Sequence, residues 1–232
     1  GGYYSIALGD GHKFFHLPQT EYQKMPGFRK ERDKDVADGV ALLKAAGAVF
    51  GASYGLETPL WFAPEGVEDA FSWRRSTDFE AVGREAKAVR ESVGLMETSG
   101  FAKYMVSGEG SRTWLDHIFA CKLPEVGRMA LAPMLNEAGK LIGDFTVANL
   151  DDEEFLVIGS GIAEDYHMRW FEQHLPADGS VTIDALGMRL IGLSIAGPKS
   201  REVLAGLSDE DVSNAAFKFM DCRHMTIGNV PA

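Results

Sequence analysis

The chain has 232 residues, of which 45% are hydrophobic and 25% are charged, and its net charge at pH 7 is −11. This length and composition suit a globular domain with a sizeable core, and they exclude a disordered or a fibrous protein. The negative charge disfavours binding to nucleic-acid phosphates, and no apolar run approaches the roughly 18 residues that a membrane-spanning helix needs.

The N-terminal part of the chain has little regular pattern. Residues 1–33 mix Gly, His, Pro and Lys without a period, which predicts an irregular lead-in or the tail of a preceding module. Apolar positions over residues 34–46 predict a short helix that ends at Gly47. The aromatic segment 54–64 contains two prolines, which exclude a regular helix, so we expect a buried loop there.

Helix and strand patterns alternate in the middle of the chain. Thr77 and Glu80 have the spacing of a capping box, at the start of a helix whose apolar stripe extends to Val93. Alternation of apolar and polar residues over 101–106 predicts a strand, and Ser111 is expected to open the helix that follows it.

The second half of the chain is rich in β patterns. The tetrad Asn136-Glu137-Ala138-Gly139 predicts a turn between two strands, hence a β-hairpin. Because strands occur in adjacent pairs, we expect antiparallel sheets with helices on one side, an α+β class rather than a doubly wound sheet. The predicted elements are strands over 128–135, 141–150 and 155–158, a helix over 163–175, strands over 181–183 and 188–195, and a helix from Pro198 to Gly206.

Phosphate and metal sites find little support in the sequence. The Gly-Ser-Gly of residues 159–161 follows a strand and precedes a helix, but Glu164 and Asp165 stand where a pyrophosphate would lie, so a tight turn explains the glycines better. Cys121 and Cys222 lack CxxC spacing, and no histidines form a ligand pair at helical spacing. We therefore expect no metal, structural rather than ligating histidines, and a reducing, cytoplasmic setting.

Asp144 is the most unusual polar residue of the sequence. It lies in the run Leu141–Val147, whose alternation sends Ile142, Asp144 and Thr146 to one face of a strand, and both faces are mostly apolar. A carboxylate in such surroundings needs a cation, a hydrogen-bond donor or a proton, as in enzyme sites that tune acids and bases. From these residues alone, a structural role in which Asp144 pairs with a buried arginine or caps a loop is an equally good interpretation.

Several segments together resemble one known family, the T-protein or aminomethyltransferase domain, most closely in its version in dimethylglycine and sarcosine dehydrogenases. The resemblance covers about four fifths of the chain. It is carried by residues 45–51 and 54–64, by Tyr104-Met105-Val106-Ser107-Gly108, by Met134-Leu135-Asn136-Glu137-Ala138-Gly139 with Gly143-Asp144-Phe145-Thr146-Val147, and by Leu193-Ser194-Ile195-Ala196-Gly197-Pro198.

The resemblance implies a tetrahydrofolate site. Asp144 falls on the strand aspartate held to be catalytic in the family, where it would contact the reduced folate amine and stabilise a cationic iminium. Phe101 falls at an apolar pocket wall, and Thr146 follows on the same face as Asp144. Ser160 stands where an asparagine is usual, and Leu131 stands where the family generally has a tyrosine near the folate.

The domain organisation expected from the resemblance is incomplete. Residues 34–232 would form the front part of a folate-binding domain, because the family's later folate contacts would begin only after Ala232. The chain begins without methionine and stops where a β pattern is still running, so we expect a piece of a longer polypeptide that is inactive by itself. In the larger relatives, a flavin-binding dehydrogenase module carrying FAD lies outside the segment that this chain resembles.

The leading functional hypothesis is an enzyme module that accepts a one-carbon unit onto tetrahydrofolate. The unit would come from an N-methyl amine, or its iminium, oxidised by a flavin-dependent dehydrogenase module or subunit. One alternative is a folate-dependent demethylase that works without a flavin partner. Another is a regulatory or structural module with the folate fold and no turnover, which the substitutions at Leu131 and Ser160 would permit.

Overall fold

The computed structural model of the chain describes residues 41–53 and 56–232. None of the helices in these two ranges has the length and apolar character required to traverse a membrane. The chain forms two compact units, which are described separately. Of the described residues, the first contains those up to Thr98 and the segment Leu193–Ser200, and the second contains Ser99–Gly192 and Arg201–Ala232.

The described part of the first unit contains two small antiparallel sheets and a helix that follows the first of them. Strands β1 (Ala48–Ser53) and β2 (Leu56–Phe62) form a hairpin. They are followed by helix α1 (Phe79–Glu91) and by strand β3 (Gly94–Glu97), which pairs with β9 (Leu193–Ala196). The β3 strand was not foreseen from the sequence, because its four residues are too short to establish a period.

The helix predicted before the hairpin is described only at its end. Residues 41–45 are helical, and Gly47 follows with a φ of +88°, a left-handed conformation that commonly ends helices. The start of the helix predicted over 34–46 lies outside the described residues, and so does the segment 1–33.

Strand β2 corrects the buried loop expected over residues 54–64. Proline lacks the N–H that a sheet ladder uses, but strands tolerate it at a bulge. Val49 pairs with Trp61 and Phe50 with Pro59, so Leu60 is an extra residue at an irregularity of the register. Trp61 is buried, as its aromatic character led us to expect.

The capping box expected at the start of α1 is also wrong. The residue before the helix is Asp78, and its side chain makes no capping hydrogen bond. The hydroxyl of Thr77 instead accepts a bond from the Ala70 amide and donates one to the Ala70 carbonyl, at 3.1 Å in both cases. Thr77 therefore closes the preceding loop, a competing use of a threonine hydroxyl that spacing alone cannot distinguish from capping.

The second unit is built on a five-stranded antiparallel sheet, which agrees with the α+β class expected from the sequence. Its strand order is β5-β6-β7-β4-β8. The strands are β4 (Ala102–Ser107), β5 (Arg128–Leu135), β6 (Leu141–Asp151), β7 (Glu154–Gly159) and β8 (Thr182–Ala185), with helices α2 (Ser111–Ile118) and α3 (Glu164–Gln173).

The core of this unit lies between the two helices and one face of the sheet. Alternate side chains of the strands point into it, as the period of two in a strand requires. Its largest buried members are Tyr104 and Val106 on β4, Met134 on β5, Phe145 and Val147 on β6, Phe155 and Val157 on β7, Trp114 and Leu115 on α2, and Phe171 on α3.

The hairpin of β5 and β6 confirms the predicted turn. The Asn136 side chain accepts hydrogen bonds from the amides of Ala138 and Lys140, and Gly139 adopts a φ of +72°. Asparagine and glycine supply the side-chain acceptor and the left-handed backbone that such a turn needs.

The C-terminal part follows the predictions less closely. The strand predicted over 188–195 is wrong in its first half, where Gly187–Arg189 forms a 3-10 turn held by Arg189, which donates to Asp184 at 2.6 Å. Helix α4 (Ser200–Ala205) begins two residues after Pro198. Two further short strands, β10 (Thr226–Ile227) and β11 (Val230–Pro231), form a hairpin.

Candidate functional site

Asp144 and Thr146 lie toward one end of β6 in the five-stranded sheet. Thr146 pairs with Leu131 on β5 and with Ile158 on β7, and Asp144 pairs with Pro133. Residues directly opposite each other in an antiparallel pair point to the same face. Asp144, Thr146 and Leu131 therefore share the face of the sheet that lies opposite Phe145 and the helices.

Phe101 and Ser160 belong to the same end of the sheet. The last pair between β4 and β7 is Ala102 with Gly159, and Phe101 and Ser160 each lie one residue beyond it. Strands β6 and β7 are antiparallel, and Thr146 pairs with Ile158. Asp144 and Ser160 each lie two residues beyond this pair, toward the same end of the sheet. Since adjacent strands are about 4.8 Å apart, all four predicted residues lie close together; we call Phe101, Asp144, Thr146 and Ser160 the strand-end site.

The strand-end site is open rather than dry. Asp144 and Ser160 are exposed and Thr146 is half-buried, while Phe101 is 52% and Leu131 is 68% exposed. The apolar surroundings expected for Asp144 are therefore not formed by the described residues. The physical reason is that the core takes the Phe145 face of the strand, and alternation then sends Asp144 outward.

The structural alternative for Asp144 also lacks support in residues 41–53 and 56–232. A pairing with a buried arginine or the capping of a loop was as good an explanation from the sequence. Within those ranges Asp144 forms no ion pair, and it lies inside strand β6 rather than beside a loop. An exposed carboxylate without a pairing role beside exposed apolar side chains is a feature of a binding surface more than of a packed core.

The chemistry available at the strand-end site depends on whether water is displaced. At about 4 Å, a carboxylate attracts a cation by about 1 kcal/mol in water but by about 4 kcal/mol at the effective dielectric constant of 20 typical of protein surfaces. A flat ligand that covers Phe101 and Leu131 would remove this water itself. Asp144 could then stabilise positive charge on a nitrogen of that ligand.

The glycines of the Gly-Ser-Gly segment have packing roles. A Cβ added to Gly159 would lie 2.5 Å from Cε1 of Phe145, and one added to Gly161 would overlap the carbonyl oxygen of Gly100. Gly161 opens a 3-10 turn that leads into α3. This agrees with the tight turn favoured from the sequence over a phosphate site.

Two buried polar side chains near the strand-end site were not foreseen. Lys103 is 3% exposed, lies opposite Ile158 on the face of Asp144, and donates to the Ser99 carbonyl at 2.7 Å. His167 on α3 is also 3% exposed, and its Nε2 lies 3.0 Å from the carbonyl oxygen of Ile142. Burial lowers the pKa of His167, so the imidazole is held in its neutral form.

Metal-ligating clusters and reactive thiols are two other kinds of site that the described part of the chain could contain. No group of three or more His, Cys, Asp or Glu side chains in these residues could hold a metal ion. Cys121 and Cys222 are free thiols, and burial raises the pKa of both.

Comparison with known proteins adds a family to this geometry. The model of the GCVT N-terminal domain matches residues 40–232. Human mitochondrial dimethylglycine dehydrogenase is 35% identical over 184 residues, which are 78% of this chain and 21% of that protein. The mouse mitochondrial pyruvate dehydrogenase phosphatase regulatory subunit is 26% identical over 194 residues, 80% of this chain and 22% of that protein.

A solved structure confirms the fold. The glycine cleavage system aminomethyltransferase T from Bartonella henselae superposes with a TM-score of 0.62 at 23% identity, covering 80% of this chain and 46% of that one. The α+β fold of the described residues is therefore the T-protein fold in part. The chain spans about a fifth of the length of the curated relatives that it matches.

Proposed function

Because the chain belongs to the family of GCVT N-terminal domains, we propose that it serves tetrahydrofolate-dependent one-carbon transfer. In this proposal the domain accepts the methylene group of an oxidised N-methyl amine such as dimethylglycine or sarcosine. The family and the relation to dimethylglycine dehydrogenase support an enzyme of the aminomethyltransferase type.

The observation that carries the proposal is the strand-end site. Four adjacent strands place an exposed carboxylate, Asp144, beside two small hydroxyl side chains, Thr146 and Ser160, and next to exposed apolar surface at Phe101 and Leu131. These are the groups that a flat, partly cationic amine needs: apolar contact for its ring, a carboxylate for its charge and hydroxyls for its remaining polar atoms.

The donor set of the strand-end site fits a reduced folate. Tetrahydrofolate supplies the amine nitrogens that accept the one-carbon unit. Phe101 and Leu131 would contact its ring system, and Thr146 and Ser160 would hydrogen-bond its polar edge. Asp144 would stabilise positive charge on nitrogen, an electrostatic role whose contribution grows as the ligand excludes water from the carboxylate.

The partners of this reaction lie outside the described residues. We propose that a flavin-dependent dehydrogenase module or subunit, carrying FAD, oxidises the N-methyl amine and delivers its iminium. A reducing, cytoplasmic setting stays a prediction, with which the two free thiols are compatible.

Replacement of Asp144 tests the proposed role directly. In the full-length protein, we expect Asp144→Asn to reduce one-carbon transfer to tetrahydrofolate by about 100-fold, the scale of removing one electrostatic contact to the transition state. Asp152→Asn is the matched control, because it removes the same charge from an exposed residue in the turn that follows the opposite end of β6. Transfer is measured as tetrahydrofolate consumed with the amine substrate. Unchanged transfer in Asp144→Asn would remove Asp144 from the mechanism.

A module without turnover is the second candidate. The similarity to the pyruvate dehydrogenase phosphatase regulatory subunit supports it, because the name of that protein describes a regulatory role. The match covers 80% of this chain, much as the match to dimethylglycine dehydrogenase does. By the resemblance, Leu131 and Ser160 stand in place of a tyrosine and an asparagine, and weaker contacts to the folate from these two residues would favour this candidate. Two measurements on the full-length protein separate the candidates: calorimetric titration with tetrahydrofolate measures binding, and tetrahydrofolate consumed with the amine substrate measures transfer. Binding with transfer supports the enzyme, and absence of transfer, with or without binding, supports the module without turnover.

A further inference from the structure

The approach to Asp144 along β6 contains a bulge. Leu141 pairs with Leu135 and Gly143 pairs with Met134, so Ile142 has no partner residue on β5. The ladder between β6 and β7 reaches only to Thr146. Ile142 and Gly143 are therefore held by a neighbouring strand on one side at most, directly before the residue that the proposed function places at the ligand.

His167 supplies the missing contact from the core side. Its Nε2 lies 3.0 Å from the Ile142 carbonyl oxygen. A carbonyl can only accept, so Nε2 carries the proton and donates. The Nδ1 atom is buried and has no hydrogen-bond partner among the described residues, which is consistent with this tautomer.

The imidazole is fixed in place by its surroundings. Its ring lies edge-on to Phe145, with centroids 4.7 Å apart. A Cβ at position 143 would lie 3.0 Å from Nε2, so the glycine leaves room for the close approach of α3 to the bulge. The ring cannot swing away without disturbing the core.

The histidine is a costly choice if packing were its only role. Burying an acceptor such as Nδ1 without a partner disfavours folding, and leucine would fill a similar volume with no polar atom to desolvate. What leucine lacks is the donor to Ile142. The bond from Nε2 therefore accounts for a histidine at this buried position.

We propose that His167 is a positioning residue for Asp144: its hydrogen bond to the Ile142 carbonyl holds the bulge of β6 and so sets the direction of the carboxylate. This inference rests on the proposed function of Asp144. His167 acts from the opposite face of the sheet through the backbone of residues 142–144 and does not touch the ligand.

The experiment compares two replacements in the full-length protein. His167→Gln keeps a side-chain N–H that can reach the Ile142 carbonyl, and His167→Leu removes it. Because a displacement of about 1 Å can cost about 100-fold in rate, we expect His167→Leu to lower the transfer rate at saturating tetrahydrofolate by about 10- to 100-fold. His167→Gln should recover most of that rate, with little change in KM in either variant.

His174→Leu is the matched control, at the residue that directly follows α3. The Nδ1 atom of His174 lies 2.7 Å from the carbonyl oxygen of Trp170, so its hydrogen-bond partner is on α3 and not on β6. We expect this variant to keep the wild-type rate. Equal rates in His167→Gln and His167→Leu at matched melting temperature would overturn the positioning role.

Failure of the inference and failure of the proposed function give different results. If Asp144→Asn abolishes transfer but His167→Leu does not, only the inference is wrong. If the wild-type protein shows no transfer, amide hydrogen exchange at Gly143 and Asp144 still decides the inference. Faster exchange in His167→Leu than in His167→Gln supports it, and equal exchange overturns it.

Discussion

The contact between Gly159 and Phe145 predicts how much a Gly159→Ala substitution lowers the free energy of unfolding. An added Cβ would lie 2.5 Å from Cε1 and 2.6 Å from Cδ1 of Phe145. Unstrained carbon atoms stay about 3.5 to 4.0 Å apart, so the overlap is about 1 Å. The Phe145 ring has little room to yield, because Phe119 and Phe171 lie with their ring centroids 5.3 and 5.6 Å from it. We therefore expect Gly159→Ala to lower the free energy of unfolding by about 1 to 3 kcal/mol.

Gly83→Ala provides the control of opposite sign. This glycine lies within α1, and a Cβ there meets no atom within 4 Å. Alanine is favoured over glycine in a helix by about 1 kcal/mol, so the same chemical change should stabilise the protein. Urea unfolding followed by circular dichroism measures both variants, with the midpoint compared at equal slope.

A double-mutant cycle tests the cause of the Gly159 effect. In Phe145→Val the δ and ε carbons are gone, and the Cβ added at Gly159 would lie 3.6 Å from the former Cγ position, an ordinary contact. Gly159→Ala should then be neutral or stabilising in that background. If Gly159→Ala is as destabilising in the Phe145→Val background as in the wild type, the contact with Phe145 does not cause the loss of stability. If Gly159→Ala lowers ligand affinity at unchanged stability, the glycine serves ligand binding instead.

Two further predictions concern the same core. Burial lowers the pKa of His167 below its ordinary 6.5, so the unfolded chain binds that proton first. The free energy of unfolding should fall as the pH falls through about 6.5 and level off below the folded-state pKa. His167→Gln should lack this pH dependence, and an equal pH dependence in both proteins would contradict the prediction. Tyr104→Phe removes the 3.0 Å bond from the Tyr104 hydroxyl to the Glu164 carbonyl and should cost about 1 kcal/mol in urea unfolding, whereas no change would show that the bond contributes nothing.

The elements that the sequence predicted well are those with many residues in one period. The strands at 101–106 and 128–150 and the turn at Asn136 and Gly139 were predicted because alternation and turn chemistry act locally. The errors lie where a local signal had two uses. Thr77 could cap a helix or close a loop, and the proline-containing segment 54–64 could be a loop or a bulged strand.

The sequence by itself determined that Asp144 lies on a β-strand, and the resemblance to aminomethyltransferases singled it out as the candidate catalytic group. Its neighbours depend on pairing between strands far apart in the chain, so only the tertiary structure could bring Phe101 and Ser160 to the same end of the sheet. The tertiary structure also decides which side chains of β6 are exposed. Alternation assigns residues to two faces, but which face the helices cover depends on the packing of α2 and α3, and they cover the face of Phe145.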